Sequence, residues 1–349
     1  MTLTAVLVAC LLAQQTEAPL APGPMQRDVD RLVRAAQKLT GAWPTQAPPA
    51  IPEVALVVRH GKSVTPLLMA LLSDAANGER NRKRWKVQQQ AALALCRIYS
   101  ESHHCGRTYC DGDPPERIAH VKDGWRRLIA SDTELSALST RELLDRFNGE
   151  TVFSRQFEIG KALAARGDRN AIAELEVWLT HDDRHRRGNA AVVLGRLGDP
   201  RGFDTIASIL TDRSPRSRGQ GIPGGNWTVH AQIRADRYYA AHLLGDLKDP
   251  RGVDVLVSLL NDEDVGAVVA WSLAEIGDPR SIGPLMKRLE HDDPSERVLA
   301  VLALETLNAR EALPKLQELL QDTRRSNFGN LTTVAEAARR AIAVLSDLR

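Results

Sequence analysis

Gly195-Arg-Leu-Gly-Asp-Pro-Arg201 returns with few changes as Gly245-Asp-Leu-Lys-Asp-Pro-Arg251 and as Ala274-Glu-Ile-Gly-Asp-Pro-Arg280. Apolar residues at helical spacing precede each copy, so each copy follows the end of a helix. Within a copy, the aspartate is a good N-cap acceptor, and the proline suits the first helical position, where its missing N–H costs nothing. Each copy therefore predicts a turn that ends one helix and begins the next.

The capping residues of these turns recur at a regular period along the second half of the chain. They are Asp168, Asp199, Asp249, Asp278 and Asn308. A spacing of about 30 residues is typical of solenoids built from helix pairs, in which each unit contacts only its neighbours. The longer step after Asp199 contains a Gly- and Pro-rich insertion, Arg213 to Asp236, which predicts an irregular loop.

The composition of the 349 residues favours helices over strands. Hydrophobic residues make up 43% of the chain and aromatic residues only 4%. The abundant Ala and Leu suit close-packed helices and give strands little to build on. The formal net charge of +2 singles out no class of partner. We therefore predict an all-α fold, a continuous α-solenoid of helix pairs.

The apolar periodicity predicts where the helices of this array lie. The first helices are expected near 151–166, 185–197, 234–247, 263–276 and 294–307, and their partners near 169–180, 200–211, 250–260, 279–290 and 309–321. A final helix, Thr332 to Leu348, should cap the array of residues 151–349, because a terminal unit must cover the apolar face that inner units share. Residues 26–150 fit the period poorly, and we predict an N-terminal cap with degenerate helical repeats there.

Residues 1–25 have the features of an export leader. They contain no Lys or Arg, and the apolar run Leu3 to Ala13 is followed by a Pro-rich segment, as in a signal core with a flexible tether. The run is shorter than the roughly 20 residues that span a bilayer. Leu7-Val-Ala-Cys10 resembles a lipobox, which would make Cys10 a lipidation site. We predict a periplasmic or cell-envelope protein, a lipoprotein or one with a cleaved signal; a cytoplasmic chain is the alternative.

Residues 151–346 resemble HEAT-like repeats of the type first recognised in phycobilisome lyases and widespread in bacteria. The Leu-Gly-Asp-Pro-Arg and Leu-Lys-Asp-Pro-Arg turns carry this resemblance, which implies an α-α superhelix of HEAT-like helix pairs. It also implies that the Asp and Arg of each turn are structural and stack from one repeat to the next. These residues are Asp199, Arg201, Asp249, Arg251, Asp278 and Arg280.

Motifs that would indicate catalysis are missing from the sequence. Deoxyhypusine hydroxylase is built on such repeats and holds iron with paired His-Glu dipeptides, but no His-Glu dipeptide occurs here. Gly219 to Gly225 superficially suggests a phosphate loop, yet no strand precedes it and its proline is unsuitable. We therefore predict no catalytic residue, no metal and no cofactor. An enzyme or enzyme subunit, lyase-like or metal-dependent, is the alternative function.

Three cysteines of the mature chain require an interpretation. Cys105 and Cys110 lie in one loop beside His103 and His104. In an exported protein we favour a Cys105–Cys110 disulfide, with free thiols or a metal site as alternatives, because a zinc site needs four converging ligands. Cys96 lies on an apolar helix face, and we interpret it as a buried filler.

Basic loops between successive pairs point to a binding surface. The candidate contact residues are Arg184, Arg186, Arg187, Arg213, Arg216, Arg218, Trp227, His230, Arg237 and Tyr238. Arg and aromatic side chains are enriched in binding hot spots. We predict a non-catalytic scaffold whose second helices and basic loops hold an acidic protein partner. The alternative is a solvated edge without a role; nucleic acid is disfavoured in an exported protein, and the membrane is expected to be reached only through an N-terminal lipid.

Overall fold

The computed structural model of the chain describes residues 23–39, 51–72, 82–99, 115–215, 228–327 and 333–347. These residues form helices, turns and short connections. No β-strand occurs among them, and their only extended pairing is an isolated antiparallel bridge between Arg325 and Thr333. The prediction of an all-α fold built from successive helices is therefore confirmed.

The chain falls into two compact units that divide between Lys122 and Asp123. The helices of the first unit are α1 (Pro24–Lys38), α2 (Pro52–Val58), α3 (Thr65–Leu71), α4 (Arg82–Ile98) and the start of α5 (Pro115–Ala137). In α1, the buried Val29, Leu32 and Ala36 recur at helical spacing, and this apolar stripe packs against α2 and α4. The amphipathic pattern of α1 thus supplies part of the core of the first unit.

The membrane-spanning potential of the described helices is low. No single one of them has the length and apolar character needed to cross a bilayer. The segments Pro52–Val58 and Gly61–Leu71 meet these criteria only when taken together, and they are bent by 109° relative to each other.

The described part of the second unit consists of helix pairs, preceded by α6 (Thr140–Gly149) and followed by α17 (Val334–Asp347). The first helices are α7 (Phe153–Arg166), α9 (Arg184–Arg196), α11 (Val229–Leu247), α13 (Gly266–Ile276) and α15 (Pro294–Thr306). The second helices are α8 (Ala171–Leu175), α10 (Pro200–Thr211), α12 (Gly252–Ser258), α14 (Ile282–Arg288) and α16 (Leu313–Glu318). A 3-10 segment, Glu176–Thr180, extends α8.

Inner first helices are buried on nearly every face. In α9, all residues from Gly188 to Leu194 are buried, because α9 contacts α7, α8, α10 and α11. One hydrophobic core runs through the whole second unit, and α6 contributes Leu143, Leu144 and Phe147 to it. The core of the second unit therefore extends into α6 and, through Leu135, into the end of α5, N-terminal to the regular helix pairs.

The turns between paired helices depend on residues in the left-handed backbone conformation. Three of these residues are glycines: Gly167 (φ 65°), Gly198 (φ 81°) and Gly277 (φ 75°). Lys248 (φ 55°) and Asn308 (φ 54°) adopt the same conformation without being glycine, at some cost in strain. The repeated sequence thus ends each first helix at the same point. An Asp follows directly in four of these turns, whereas Ala309 follows Asn308, so Asn308 takes the position of the glycine and not, as predicted, that of the capping Asp.

Glycines also set the distance between helices. A Cβ added to Gly202, in the first turn of α10, would lie 2.3 Å from the carbonyl oxygen of Ala191 and 2.4 Å from the backbone nitrogen of Gly195. The start of α10 therefore packs directly on the backbone of α9. A Cβ on Gly266, at the start of α13, would likewise lie 2.5 Å from the carbonyl oxygen of Leu260, whereas one on Gly283 of α14 would meet nothing within 4 Å.

Some helix boundaries differ from the predicted ones. Helix α11 begins at Val229 and not near 234, because Thr228 is its N-cap and accepts a hydrogen bond from the backbone N–H of Ala231. Helix α13 begins at Gly266 and not near 263, because the carboxylate of Asp262 accepts the backbone N–H groups of the following turn.

Candidate partner-binding surface

The Asp-Pro-Arg turns, which we call the turn edge of the array, carry a repeated ion pair. In each turn the Asp accepts the backbone N–H two residues ahead and also pairs with the guanidinium of that Arg. The pairs are Asp199 with Arg201, Asp249 with Arg251 and Asp278 with Arg280. The hydrogen bonds from the guanidinium groups hold the pKa of these carboxyl groups below the usual range.

Each of these arginines also reaches back to the preceding repeat. The contacts are Arg201 Nη1 with Glu176 (2.6 Å), the Arg251 guanidinium over the ring of Phe203 (4.3 Å to the centroid) and Arg280 Nη2 with the carbonyl oxygen of Pro250 (2.7 Å). The turn residues therefore have the stacking contacts that the HEAT-like resemblance implies. Their guanidinium groups are engaged within the array.

The opposite edge, which we call the loop edge, joins the end of each second helix to the next first helix. Here Arg184 is buried, with its side chain only 7% exposed. Its guanidinium donates to Asp212, after α10, at 2.5 Å, and to the fully buried Asp236 of α11 at 3.2 Å. The prediction that Arg184 contacts a partner is therefore wrong, because its charge is neutralised inside the protein.

The prediction that Arg237 contacts a partner is wrong for the same reason. Its side chain is 1% exposed, and it donates to the carbonyl oxygen of Leu210 at 2.9 Å and to Asp262 at 2.6 Å. It also pairs with Asp264 at 3.4 Å. A buried cation with this many acceptors links α10, α11 and the loop after α12, and it is unavailable to a partner.

Further buried pairs occur along the loop edge. The Nε atom of Arg297 lies 3.0 Å from Oδ2 of Asp322. Arg288, from α14, donates to Glu296 at 2.5 Å and to Asn261 at 2.9 Å. The Arg288 guanidinium occupies the space beside Gly266, where an added Cβ would lie 2.8 Å from Nη2. We call these buried pairs at the loop edge, together with those of Arg184 and Arg237, clasps.

In the part of the predicted cationic patch that the structure describes, cations and carboxylates lie side by side. The exposed Arg213 pairs with Asp262 and lies 3.8 Å from Asp264. His230, 74% exposed, has its Nε2 3.1 Å from Asp264. These two residues are at the surface, but carboxylates balance the cationic charge there. The predicted contact residues Arg216, Arg218 and Trp227 lie outside the described residues.

Two other predicted contact residues, Arg186 and Tyr238, pack against neighbouring rings. The Arg186 guanidinium lies over the ring of Trp178, 4.9 Å from the centroid, and donates to the carbonyl oxygen of Glu150. Tyr238 is 38% exposed and packs edge-on against His242. Partial burial raises the pKa of the Tyr238 hydroxyl. Of this pair of candidates, Tyr238 is the more accessible.

Arg187 is in a different position from its neighbours. It is half-buried, and its Nη1 donates to the carbonyl oxygen of His181 at 2.9 Å. Among the described residues it makes no ion pair. Burial, followed by repulsion from Arg184, lowers the pKa of the Arg187 guanidinium, against the longer-range attraction of three carboxylates. The group stays charged at neutral pH. Arg187 is therefore a partly desolvated cation that can accept an anionic partner.

The Arg187 side chain borders an open groove of about 500 Å³ between successive second helices, which we call the Arg187 groove. Its described lining residues are Leu179, Arg187, Arg201, Asp204, Thr205 and Ser208. Leu179 comes from the 3-10 segment after α8, and the last four come from α10. The groove thus combines one cation without a carboxylate partner, two hydroxyl groups and an apolar wall.

Comparison with known families agrees with this geometry. Residues 230–298 match the family model of HEAT repeats, and residues 296–322 match that of the PBS lyase HEAT-like repeat. The chain contains HEAT-like repeats. The matches extend from α11 to the segment after α16, so they cover the pairs α11/α12, α13/α14 and α15/α16. Comparison with curated proteins gives no match.

The cysteine chemistry differs from its prediction at Cys96. Cys96 is disulfide-bonded and is not the free buried filler that its apolar surroundings suggested. The other three cysteines, Cys10, Cys105 and Cys110, lie outside the described residues. No group of three or more potential metal ligands occurs among the described residues.

The sequence did not single out the wall of the Arg187 groove. Asp204, Thr205 and Ser208 lie five, six and nine residues after the capping Asp199, on the face of α10 that points away from the core. In a HEAT-like repeat this face is exposed, so a search for polar residues at these offsets after each cap would have found them. The basic loops were the stronger signal in the sequence, because clustered arginines are visible there without knowledge of their partners.

Proposed function

We propose that this HEAT-like repeat protein is a non-catalytic scaffold that binds a protein partner through the exposed face of its second helices. The observation that carries the proposal is the accessibility of this face. The arginines of the loop edge are largely engaged inside the protein, whereas α10 and α12 present side chains that their own repeat does not bury. Extended surfaces of this kind are what solenoid proteins use for binding.

Two neighbouring second helices, α10 and α12, repeat the same surface. Asp204 and Ser208 of α10 stand at the same offsets from their caps as Asp254 and Ser258 of α12, and all four are exposed. Equivalent side chains therefore occur on one face of these two neighbouring helices, whereas α14 carries Gly283 and Lys287 at the same offsets. A partner that crosses α10 and α12 would meet similar groups on both, which favours an extended protein segment.

A photo-crosslinking experiment tests this proposal. A crosslinking amino acid is placed at Ser258, on α12, or at Arg155, an exposed residue of the first helix α7. We expect Ser258 to capture a protein that mass spectrometry identifies and that binds the purified chain directly, and we expect Arg155 not to capture it. The proposal fails if a crosslinker captures nothing at Ser258 and nothing at the equivalent Ser208 of α10, or if Ser258 and Arg155 capture the same proteins equally.

An enzyme or enzyme subunit is the second candidate function. The match of residues 296–322 to the PBS lyase HEAT-like repeat favours it, because that repeat is named after an enzyme. The purified native protein should then carry a bound metal or tetrapyrrole, detectable by elemental analysis and by absorption spectroscopy. Stoichiometric bound metal that is lost in a Cys105/Cys110 double variant would make this candidate the stronger one.

We also propose that the protein is exported to the bacterial periplasm or cell envelope. The apolar leader and the disulfide at Cys96 support this, because structural disulfides persist in oxidising compartments. Thiol labelling of intact cells, with and without reductant, tests it: Cys96 should become reactive only after reduction. Cys10→Ser should change membrane association only if Cys10 is lipidated.

A further inference from the structure

The four consecutive residues Arg184, His185, Arg186 and Arg187 begin helix α9, and their side chains have separate surroundings. Arg184 is clasped by Asp212 and Asp236, and Arg186 lies over Trp178. Arg187 donates to the backbone carbonyl oxygen of His181. A partly buried cation attracts an anion more strongly than a fully hydrated one, because the local dielectric is lower. Arg187 is therefore the guanidinium of this helix that is suited to an external anion.

The two ends of the Arg187 groove are bordered by different arginines. Arg184 contacts Asp212 and Ser214, which follow α10 directly, so the first turn of α9 lies beside the end of α10. Arg187 therefore borders the Ser208 end of the groove, and Arg201 borders the other end. Since the helix rises 1.5 Å per residue, these ends are about 10 Å apart, which corresponds to about three residues of extended peptide.

The charges along the groove select among anions. Arg201 is paired with both Asp199 and Glu176, so its end of the groove carries no surplus positive charge. Asp204, exposed on the groove wall, adds a negative charge. A single carboxylate can pair with Arg187 and avoid Asp204. The backbone of a nucleic acid, with a charge on every phosphate, would meet Asp204 as well, and the balance of charges is unfavourable for it.

We propose that the Arg187 groove receives a Glu or Asp side chain from an extended segment of the protein partner, with Arg187 as the anchor for its carboxylate. Thr205 and Ser208 offer hydroxyl groups to the backbone of that segment, and Leu179 offers an apolar contact. This inference rests on the proposed binding of a protein by the second helices, and it specifies the chemical class of the segment that lies over α10.

The first test identifies the segment. The full-length chain carries the crosslinking amino acid at Ser208, which lines the groove, or at the equivalent Ser258, which lies on α12 outside it. We expect the partner peptide linked to position 208 to contain an Asp or Glu within about three residues of the crosslink, given the groove length. The inference is overturned if position 258 captures the partner and position 208 does not, or if the linked segment contains no acidic residue. If neither position captures a protein, the proposed function itself fails.

The second test measures the contribution of the charge pair. The recovered segment is synthesised with its acidic residue intact and with the amide in its place, and both peptides are titrated against the full-length chain. We expect the acidic peptide to bind at least about tenfold more tightly, as is typical of hydrogen bonds to charged groups. Arg187→Gln should abolish this difference. Arg155→Gln, which removes the same charge from an exposed position on α7, should preserve it.

Competition and stability measurements complete the design. Single-stranded DNA or inorganic phosphate that displaces the acidic peptide in an Arg187-dependent way, and at a lower concentration than the peptide itself, would overturn the choice of a carboxylate. The melting temperature of Arg187→Gln should match that of the wild type within a few degrees, because the side chain is half-buried and makes no ion pair among the described residues. An equal difference between the two peptides with Arg187→Gln and with the wild type would also overturn the inference.

Discussion

The two edges of the HEAT-like array pair Arg with Asp in opposite ways. At the turn edge the partners are two residues apart, as in Arg251 and Asp249, and the arginine is about half exposed, at 50%. At the loop edge the partners are distant in sequence and buried, as in Arg237 and Asp262, which are 25 residues apart. The first kind of pair orders a single turn, and the second connects separate helices. The same two residue types therefore differ greatly in what their loss should do.

The largest effect is expected at the loop edge. Arg237→Ala leaves the buried Asp262 without its main partner and the Leu210 carbonyl without its donor, so we expect the free energy of unfolding to fall by about 3–5 kcal/mol. Arg251→Ala, at the turn edge, should lower it by less than about 1 kcal/mol, because exposed ion pairs contribute little. Urea unfolding of both variants measures the difference, and equal losses would contradict the distinction between the edges.

A smaller effect is expected where the turn edge depends on close packing and not on charge. Gly202→Ala forces a methyl group against the backbone of α9, and we expect a loss of about 1–3 kcal/mol, as for overpacked cores. Gly283→Ala is the matched control, because its Cβ meets nothing. It should stabilise α14 by about 0.5–1 kcal/mol through helix propensity. Thermal melts would refute the packing argument if both substitutions shifted the melting temperature in the same direction.

Removing the helix cap at a turn aspartate should lower the free energy of unfolding by an intermediate to small amount. Asp199→Ala removes the acceptor for the backbone N–H of Arg201 and should cost about 1 kcal/mol. Asp254→Ala removes an exposed carboxylate of α12 that caps no helix, and it should change stability by less than about 0.5 kcal/mol. Chemical unfolding at neutral pH compares them. A cost at Asp254 as large as that at Asp199 would show that charge, and not capping, stabilises these turns.

The smallest effect is a pH dependence of the turn edge. Because the folded-state pKa of Asp199 is lowered by the Arg201 guanidinium, its contribution is present above the unfolded value of about 3.9 and is lost as pH falls through the folded value. We expect the urea midpoint of the wild type to fall more steeply below about pH 4 than that of Asp199→Asn. Parallel curves for the two proteins would remove Asp199 from this dependence.

Local features of the turn edge could be predicted from the sequence, and the structure shows why. The cap, the proline and the arginine lie within three residues, so their geometry depends on the local chain alone. Asp199 and Asp278 do accept the backbone N–H two residues ahead. The helix pairs could be predicted as well, because the apolar periodicity that indicates each helix is also a local property of the sequence.

The loop edge could not be predicted in this way, because its partners come together only in the folded array. Arg184 lies 52 residues from Asp236, and nothing in the sequence Arg184-His-Arg-Arg187 distinguishes the buried guanidinium from the accessible one. Successive side chains of a helix point about 100° apart, so one arginine faces the interior, the next faces Trp178 and the last borders the groove. Among these arginines, Arg184 was wrongly predicted to contact a partner for that reason.

The clasps have a consequence for how such a protein can change in length. Arrays of similar units commonly gain or lose copies by recombination, and the near-identical Asp-Pro-Arg turns offer matching points for it. A unit excised between two turns would carry intact caps, but it would separate Arg184 from Asp236 and Arg237 from Asp262, since the partners in each pair lie on opposite sides of a turn. The guanidinium of the clasp also comes from a first helix at Arg237 and from a second helix at Arg288, so neighbouring units are not interchangeable. Their number and order are therefore constrained by chemistry that the repeated turns do not reveal.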